Sequence, residues 1–376
     1  MKITEIKSYI VSAHNDNWVY VKVFTDEGIT GVGECSLETR EQTVVAALGE
    51  LKRHLIGKDP LDTEKLFYTC NRDEYWGACA VLMSALSAVD VALWDIKGKA
   101  FDVPVYQLLG GKFRDKVRVY ANRWFLGADT PDKLAKKAEA TVSKGFTAMK
   151  WDPFYRTEGM IDAASLRGVV AQIKAIRKAV GDDVDLLIEG HGRFNPFTAL
   201  LIANEIAPYK PFLFEEPTMP ENLDALAEVC ARSPVPIAAG ERMYTKADFR
   251  TAFSKKAVNI IQPDIRVTGG ITEAKKIAAM AEAEFIPVAP HNIHGQIGTA
   301  ASMHLCAAIP NACILEYSVE EIEWKESLFD HTYKPENGYM YINDRPGLGI
   351  DFNEEVALRY PYKTISMVQT LFSDEF

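Results

Sequence analysis

The chain has 376 residues, 48% of them hydrophobic and 25% charged, with a formal net charge of −10. That length implies one large or two unequal domains around an ordinary soluble core. The acidic balance argues against a nucleic-acid partner, which needs a basic face, yet it leaves small anionic substrates open, because a bound metal ion can reverse the sign of a site locally.

In chain order, the opening MKITEIKSYIV carries charges inside its apolar pattern and has no small-residue cleavage site after a long apolar run, so a signal peptide is not expected. WVYVKVFTDEGITGVGE reads as a hairpin turning at Asp26-Glu27-Gly28. Helical stretches follow. The most apolar, Ala78 to Trp94, is interrupted by Asp90 and small residues, which makes it a core helix and not a membrane span. Strands followed by helices predict an α+β domain over residues 1–116. Six cysteines (Cys35, Cys70, Cys79, Cys230, Cys306, Cys313) form no C-x-x-C pair, so scattered thiols in a reducing cytoplasm are expected, without zinc or redox centres.

A new rhythm begins at Val117. Eight short β-branched or apolar runs, VRVYANRW, AMKWDP, DLLIEGHG, FLFEEP, PIAAGER, NIIQPDI, IPVAPHN and CILEYS, alternate with amphipathic stretches. One of these, TPDKLAKKAEATVSKG, has Thr130 as N-cap, Pro131 at the first helical position and Gly145 as its stop. Eight strand–helix units predict a (β/α)8 TIM-type barrel over 117–345, with 346–376 returning to the N-terminal capping domain.

The acids keep time with that repeat. Glu189, Glu215 and Glu241 end the third, fourth and fifth runs at a constant spacing of 26 residues. Equal offsets put all three at the C-terminal rim of adjacent strands, where such barrels carry their chemistry. Three carboxylates in one mouth would repel strongly without a cation, and all-oxygen ligation with open positions suits Mg2+. Asp264, His291 and Glu316 continue the series at spacings of 23, 27 and 25. Asp264 and His291 on neighbouring strands can form a carboxylate–imidazole pair, which makes His291 a candidate general base. Strand alternation also aims Glu189, His191 and Arg193 the same way, and His191 is placed to act as a general acid from the other side. Lys150 and Asp152 point inward from the second run, Lys150 either neutralising nearby acids or touching substrate.

FEEP, GER, QPDIRVTGGIT and APHNIHGQIG at these spacings resemble the mandelate racemase-like branch of the enolase superfamily along essentially the whole chain. The resemblance implies an α+β cap completed by the C-terminal tail, and a Mg2+ that binds a substrate carboxylate and stabilises an enediolate once the α proton is removed. Racemases of the branch carry Lys-x-Lys on the second strand; here Lys150-Trp151-Asp152 stands there, which disfavours a two-base racemase. His191 two positions after the first ligand resembles the sugar-acid dehydratases acting on gluconate and galactonate, and MKWDPF resembles the gluconate-type segment. Glu189 stands where many relatives have Asp, one methylene longer. The implied reaction is loss of water from an aldonate to give a 2-keto-3-deoxy acid. In it His291, oriented by Asp264, takes the C2 proton, His191 protonates the C3 hydroxyl, and Glu316 sits beside the enediolate.

Asn122, Asp152, Arg193, Asn195 and Asn292, with Lys150, are the candidate substrate contacts, and His14 to Trp18 and Tyr75-Trp76 are candidates to reach down from the cap. An epimerase or cycloisomerase using the same enediolate, a metal-free glycosidase with Glu215 and Glu241 as its acids, and a non-catalytic sugar-acid-binding protein are the rival readings. The expectation is a cytoplasmic homo-oligomer acting on a small sugar acid, with neither nucleic acid nor membrane as partner.

Overall fold

Alternation in WVYVKVFT does form a strand. β1 (Ile3–Ala13), β2 (Asp16–Thr25) and β3 (Thr30–Glu34) make a three-stranded antiparallel sheet in the order β1-β2-β3. The sheet packs on the helix Ala80–Ala100, whose central turns are buried. Gly31 and Gly33 make that contact possible: a Cβ at either would lie 2.1 Å or 1.9 Å from the carbonyl oxygens of Ala92 and Ala88. Close helix–sheet approach thus fixes β3, and β3 ends in Glu34, which it delivers toward the barrel. The computed structural model describes residues 1–14, 16–72, 79–154 and 157–364. Asn15, Tyr75, Trp76, Ala78 and the tail beyond 364 lie outside the described residues.

Seven parallel strands follow in ring order β10-β4-β5-β6-β7-β8-β9. They are β4 (Lys116–Asn122), β5 (Ala148–Trp151), β6 (Asp185–Glu189), β7 (Leu213–Glu215), β8 (Ile237–Ala239), β9 (Ile260–Ile261) and β10 (Leu315–Ser318). The run IPVAPHN makes no named strand. It closes the ring through single bridges from Val288 to Ile261 and to Ala312. The expected barrel is therefore present, with a seam of few rungs between β9 and β10. A short strand that the sequence does not announce, β11 (Tyr339–Tyr341), pairs antiparallel with the start of β4.

The helix Pro131–Ser143 begins as read, with Thr130 accepting from the Lys133 N–H and Pro131 in the first turn. After the barrel the chain returns to the first sheet: Ser12 N donates to Tyr360 O, and Asn17 exchanges two hydrogen bonds with Lys363. Among the described residues no helix is long and apolar enough to cross a membrane.

Candidate active site

The lumen of the barrel is filled by one apolar cluster: Tyr120, Ala148, Leu187, Leu213, Ala238, Ile260, Ala289 and Ile314. Each of the eight runs supplies one member. Side chains two residues further on face the same way, so the next layer toward the C-terminal rim is dictated by the sequence. It reads Asn122, Lys150, Glu189, Glu215, Gly240, Gln262, His291 and Glu316. An apolar floor thus carries a layer of charged and polar groups, most of them buried.

In that layer Lys150 sits among acids. Its Nζ is 2.7 Å from Glu215, 3.1 Å from Glu316 and 3.3 Å from Glu189. Burial opposes its charge, but the three carboxylates outweigh burial and hold it well above the ordinary lysine value. Burial, then the charge of Glu189, pushes Glu215 up to about 8. Glu316 goes the other way: burial would raise it, but Lys150 and His291 hold it well below the carboxylate range. The two acids share one ammonium and differ in their other neighbours. Glu316 accepts from Asn122 Nδ2 at 2.7 Å and from the Asn292 N–H at 2.9 Å, whereas Oε2 of Glu215 is buried with no hydrogen-bond partner.

One oxygen each of Glu189, Glu215 and Glu241 lies within 4.8 Å of the others. Three hard carboxylate ligands, with Glu215 keeping one buried oxygen free of any hydrogen bond, fit a Mg2+-type cation. Ionised together without one, they repel.

Two histidines flank this cluster. His291 places Nδ1 2.7 Å from Asp264 Oδ2 and Nε2 3.1 Å from Glu241 Oε2. Burial works to lower it, but Glu241, Glu316 and Asp264 raise it to about 10. It is therefore protonated while those carboxylates are uncompensated. His191 places Nδ1 2.7 Å from Asp152 Oδ2. Against burial, Glu189 and Asp152 raise it to about 9. β6 and the His291 run stand four positions apart in the ring of eight, so the two histidines come to the rim from opposite sides of the ring.

Strand alternation does not explain His191 and Arg193, however. β6 stops at Glu189, and His191 adopts φ +48° between Gly190 and Gly192. The turn folds His191 N onto Glu189 Oε1 at 2.6 Å and brings Arg193 to Asp152 at 2.7 Å. Asp152 thus holds both residues.

Other candidates are engaged differently. Asn122 and Asn292 are buried and grip Glu316, with Asn292 Nδ2 also donating to Thr299 Oγ1 at 3.0 Å. Asn195 is exposed and caps the helix Pro196–Ile206 by accepting from the Thr198 N–H. From the cap, His14 pairs with Glu320 at 3.1 Å and Asp16 pairs with Arg123, while Trp18 packs edge-on to Trp324.

Residues not foreseen include Arg266, bound to Asp264, and Glu34 behind it. They also include Glu216, which pairs with Arg242 beside the cluster and has φ +37°. Gln262 is fully buried, with neither side-chain polar atom hydrogen-bonded. The regular lumen alternation was the signal for Gln262; nothing local announced the others.

Two family models match the chain. The mandelate racemase / muconate lactonizing enzyme N-terminal domain matches residues 2–110, and the enolase C-terminal domain-like model matches 133–356. D-galactonate dehydratase of Pectobacterium atrosepticum is 38% identical over 366 residues, covering 95% of this chain and 94% of the relative. The Ralstonia pickettii protein of the same name is 38% identical over 367 residues, with the same coverage of 95% and 94%. Among solved structures, a mandelate racemase/muconate lactonizing enzyme from Jannaschia sp. CCS1 superposes with a TM-score of 0.91 at 33% identity, covering 97% of this chain and 99% of that one. A protein from Roseovarius sp. TM1035, described as mandelate racemase/muconate lactonizing enzyme-like, does so with a TM-score of 0.92 at 33% identity, covering 97% of each chain.

Proposed function

The chain belongs to the mandelate racemase / muconate lactonizing enzyme family of the enolase superfamily, and on that premise we propose that it is a Mg2+-dependent sugar-acid dehydratase. It converts an aldonate, galactonate first among the candidates, to a 2-keto-3-deoxy acid. The relatives compared above are named for galactonate and not for gluconate, so the gluconate-like look of MKWDPF does not guide the choice. The observation that carries the reading is a pair of histidine–aspartate contacts, each 2.7 Å, on opposite sides of the ring that carries a three-carboxylate cluster.

Elimination needs a base at C2 and an acid at the C3 hydroxyl. Asp264 accepts the Nδ1–H of His291, which leaves Nε2 to take the C2 proton once a bound cation offsets the carboxylates that otherwise keep the ring charged. Asp152 holds His191 the same way, and its carboxylate favours the charged imidazole, ready to give a proton to the departing hydroxyl. The C2–H and C3–O bonds break, water leaves, and the enol tautomerises to the ketone. Glu189, Glu215 and Glu241 would hold a Mg2+, which would supply positive charge to offset the charge that develops when the C2 proton is lost. Glu316, fixed by Asn122, Asn292 and Lys150, borders the same space.

The test is C2 deuterium incorporation from D2O into galactonate, by NMR with Mg2+ present. His291→Asn loses both dehydration and exchange. His191→Asn loses dehydration by about 10²–10⁴-fold and keeps exchange where the enediolate reprotonates faster than hydroxide leaves. Exchange surviving in His291→Asn but absent from His191→Asn reverses the two roles.

A further inference from the structure

Asp264 does more than touch His291. Its Oδ1 accepts from the Arg266 backbone N–H at 2.8 Å and from Arg266 Nε at 3.0 Å, and its Oδ2 accepts from Arg266 Nη2 and from His291 Nδ1. Arg266 is 3% exposed, and the Nε–Nη2 edge of its guanidinium is spent on Asp264, while Nη1 is buried without a hydrogen-bond partner on the side of Glu34. Glu34, at the end of β3 in the N-terminal sheet, lies 3.9 Å from Arg266 Nη1. Glu34 is itself wholly buried and fixed by the N–H groups of Gly295 and Gly298, both at 2.9 Å. A Cβ at Gly295 would come within 2.5 Å of Glu34 Oε2, and one at Gly298 within 2.9 Å of Arg266 Cδ. The loop beyond His291 is therefore shaped around both side chains.

We infer that Arg266, backed by Glu34 from the N-terminal sheet, is a positioning residue for the base: it clamps Asp264 so that one carboxylate oxygen stays on the Nδ1–H of His291 and Nε2 remains the proton acceptor. The inference rests on His291 being the base and explains what keeps it aligned. Nothing else in the described structure limits rotation of the Asp264 carboxylate as tightly, because the fork and the Arg266 backbone N–H hold both oxygens. A lysine cannot reproduce that grip, since an ammonium is a point donor without a planar fork. A purely structural Arg266, present only to neutralise Asp264 and Glu34, would affect stability and leave turnover per folded molecule alone.

The experiment uses full-length enzyme with Mg2+ and galactonate. The variants are Arg266→Met, Arg266→Lys, Glu34→Gln and His291→Asn. Two readouts are taken: the split between kcat and KM, and the far-downfield proton NMR signal of the His291 Nδ1–H without substrate, assigned by its absence in His291→Asn. Arg266→Met should lose the signal and drop kcat by about 10–100-fold, as outer-shell partners of active-site imidazoles do, with KM within about threefold. Arg266→Lys should be intermediate in both, and it decides the matter if the Met variant does not fold. Glu34→Gln should keep the signal and lose kcat by less. A wild-type signal and kcat in either Arg266 variant overturns the inference, as does a lowered Tm with kcat intact. C2 exchange surviving in His291→Asn would instead remove the base assignment beneath it, while the NMR signal still reports whether Arg266 clamps Asp264.

Discussion

Lys150→Met isolates the ammonium that holds the acid layer together. Lys150 Nζ lies 2.7, 3.1 and 3.3 Å from Glu215, Glu316 and Glu189, with the lysine side chain 3% exposed. At an effective dielectric of about 20, an ionised carboxylate at such distances attracts the ammonium by about 5–6 kcal/mol, and Glu215, raised to about 8, contributes in full only above neutral pH. Desolvation takes back several kcal/mol per ion, and removing one partner of a buried pair costs about 3–5 kcal/mol net. A 376-residue chain unfolds with an entropy near 0.8 kcal/mol/K on the usual per-residue value of about 2.1 cal/mol/K. The variant should therefore melt about 4–6 °C below wild type in EDTA. Its acids then lack the Lys150 ammonium, so added Mg2+ should raise its Tm by more than it raises that of wild type. Calorimetry with and without Mg2+ measures both. A Tm within about 1 °C of wild type in EDTA, or a Mg2+ response no larger than that of wild type, refutes the assignment of Lys150 as the fixed counter-charge.

Two further outcomes follow from the same geometry and from the cap. Glu215→Gln should abolish Mg2+-dependent turnover while its Tm in EDTA stays level or rises, since a crowded carboxylate becomes neutral; full activity would remove Glu215 from the ligand set. Asp90, wholly buried in the helix Ala80–Ala100, is raised to about 7, chiefly by burial. Its folded value exceeds the unfolded one, so its contribution is fully present below about pH 4 and is lost as pH rises through about 7, on the order of 4 kcal/mol in all. Asp90→Asn still offers an oxygen to the Thr272 N–H, now 2.9 Å from Asp90 Oδ2, and should gain stability relative to wild type across that window. Parallel Tm–pH curves would place the titration elsewhere.

The spacing of the acids was readable because each belongs to one repeating unit, and a unit of constant length returns to the same rim. Strand ends were less readable. β7 ends on Glu215, but β8 and β9 stop short of Glu241 and Asp264. Pairing there is set by closure of the ring, not by local composition. His191 shows where alternation misleads: two flanking glycines let the chain turn left-handed, so period-two reasoning ends at Glu189. Asn195, read as a substrate contact, caps the helix that Pro196 opens. The chain of groups from Glu34 through Arg266 to Asp264 was not legible at all. It joins residues from two folding units, and no short-range pattern encodes such a meeting.

The return of the chain to its first sheet has a consequence for how the molecule is made. Asn17 and Lys363 bond across a sequence separation of 346, and β1 receives Tyr360 along its edge. During synthesis from the N-terminus, the cap's first sheet emerges long before the segment that completes it. The eight-unit ring, whose neighbours in space are mostly neighbours in sequence, has all its parts available earlier. Sealing of the cap is thus among the last events of folding, and until then the edge of β1 is an unpaired strand of the kind that recruits wrong partners.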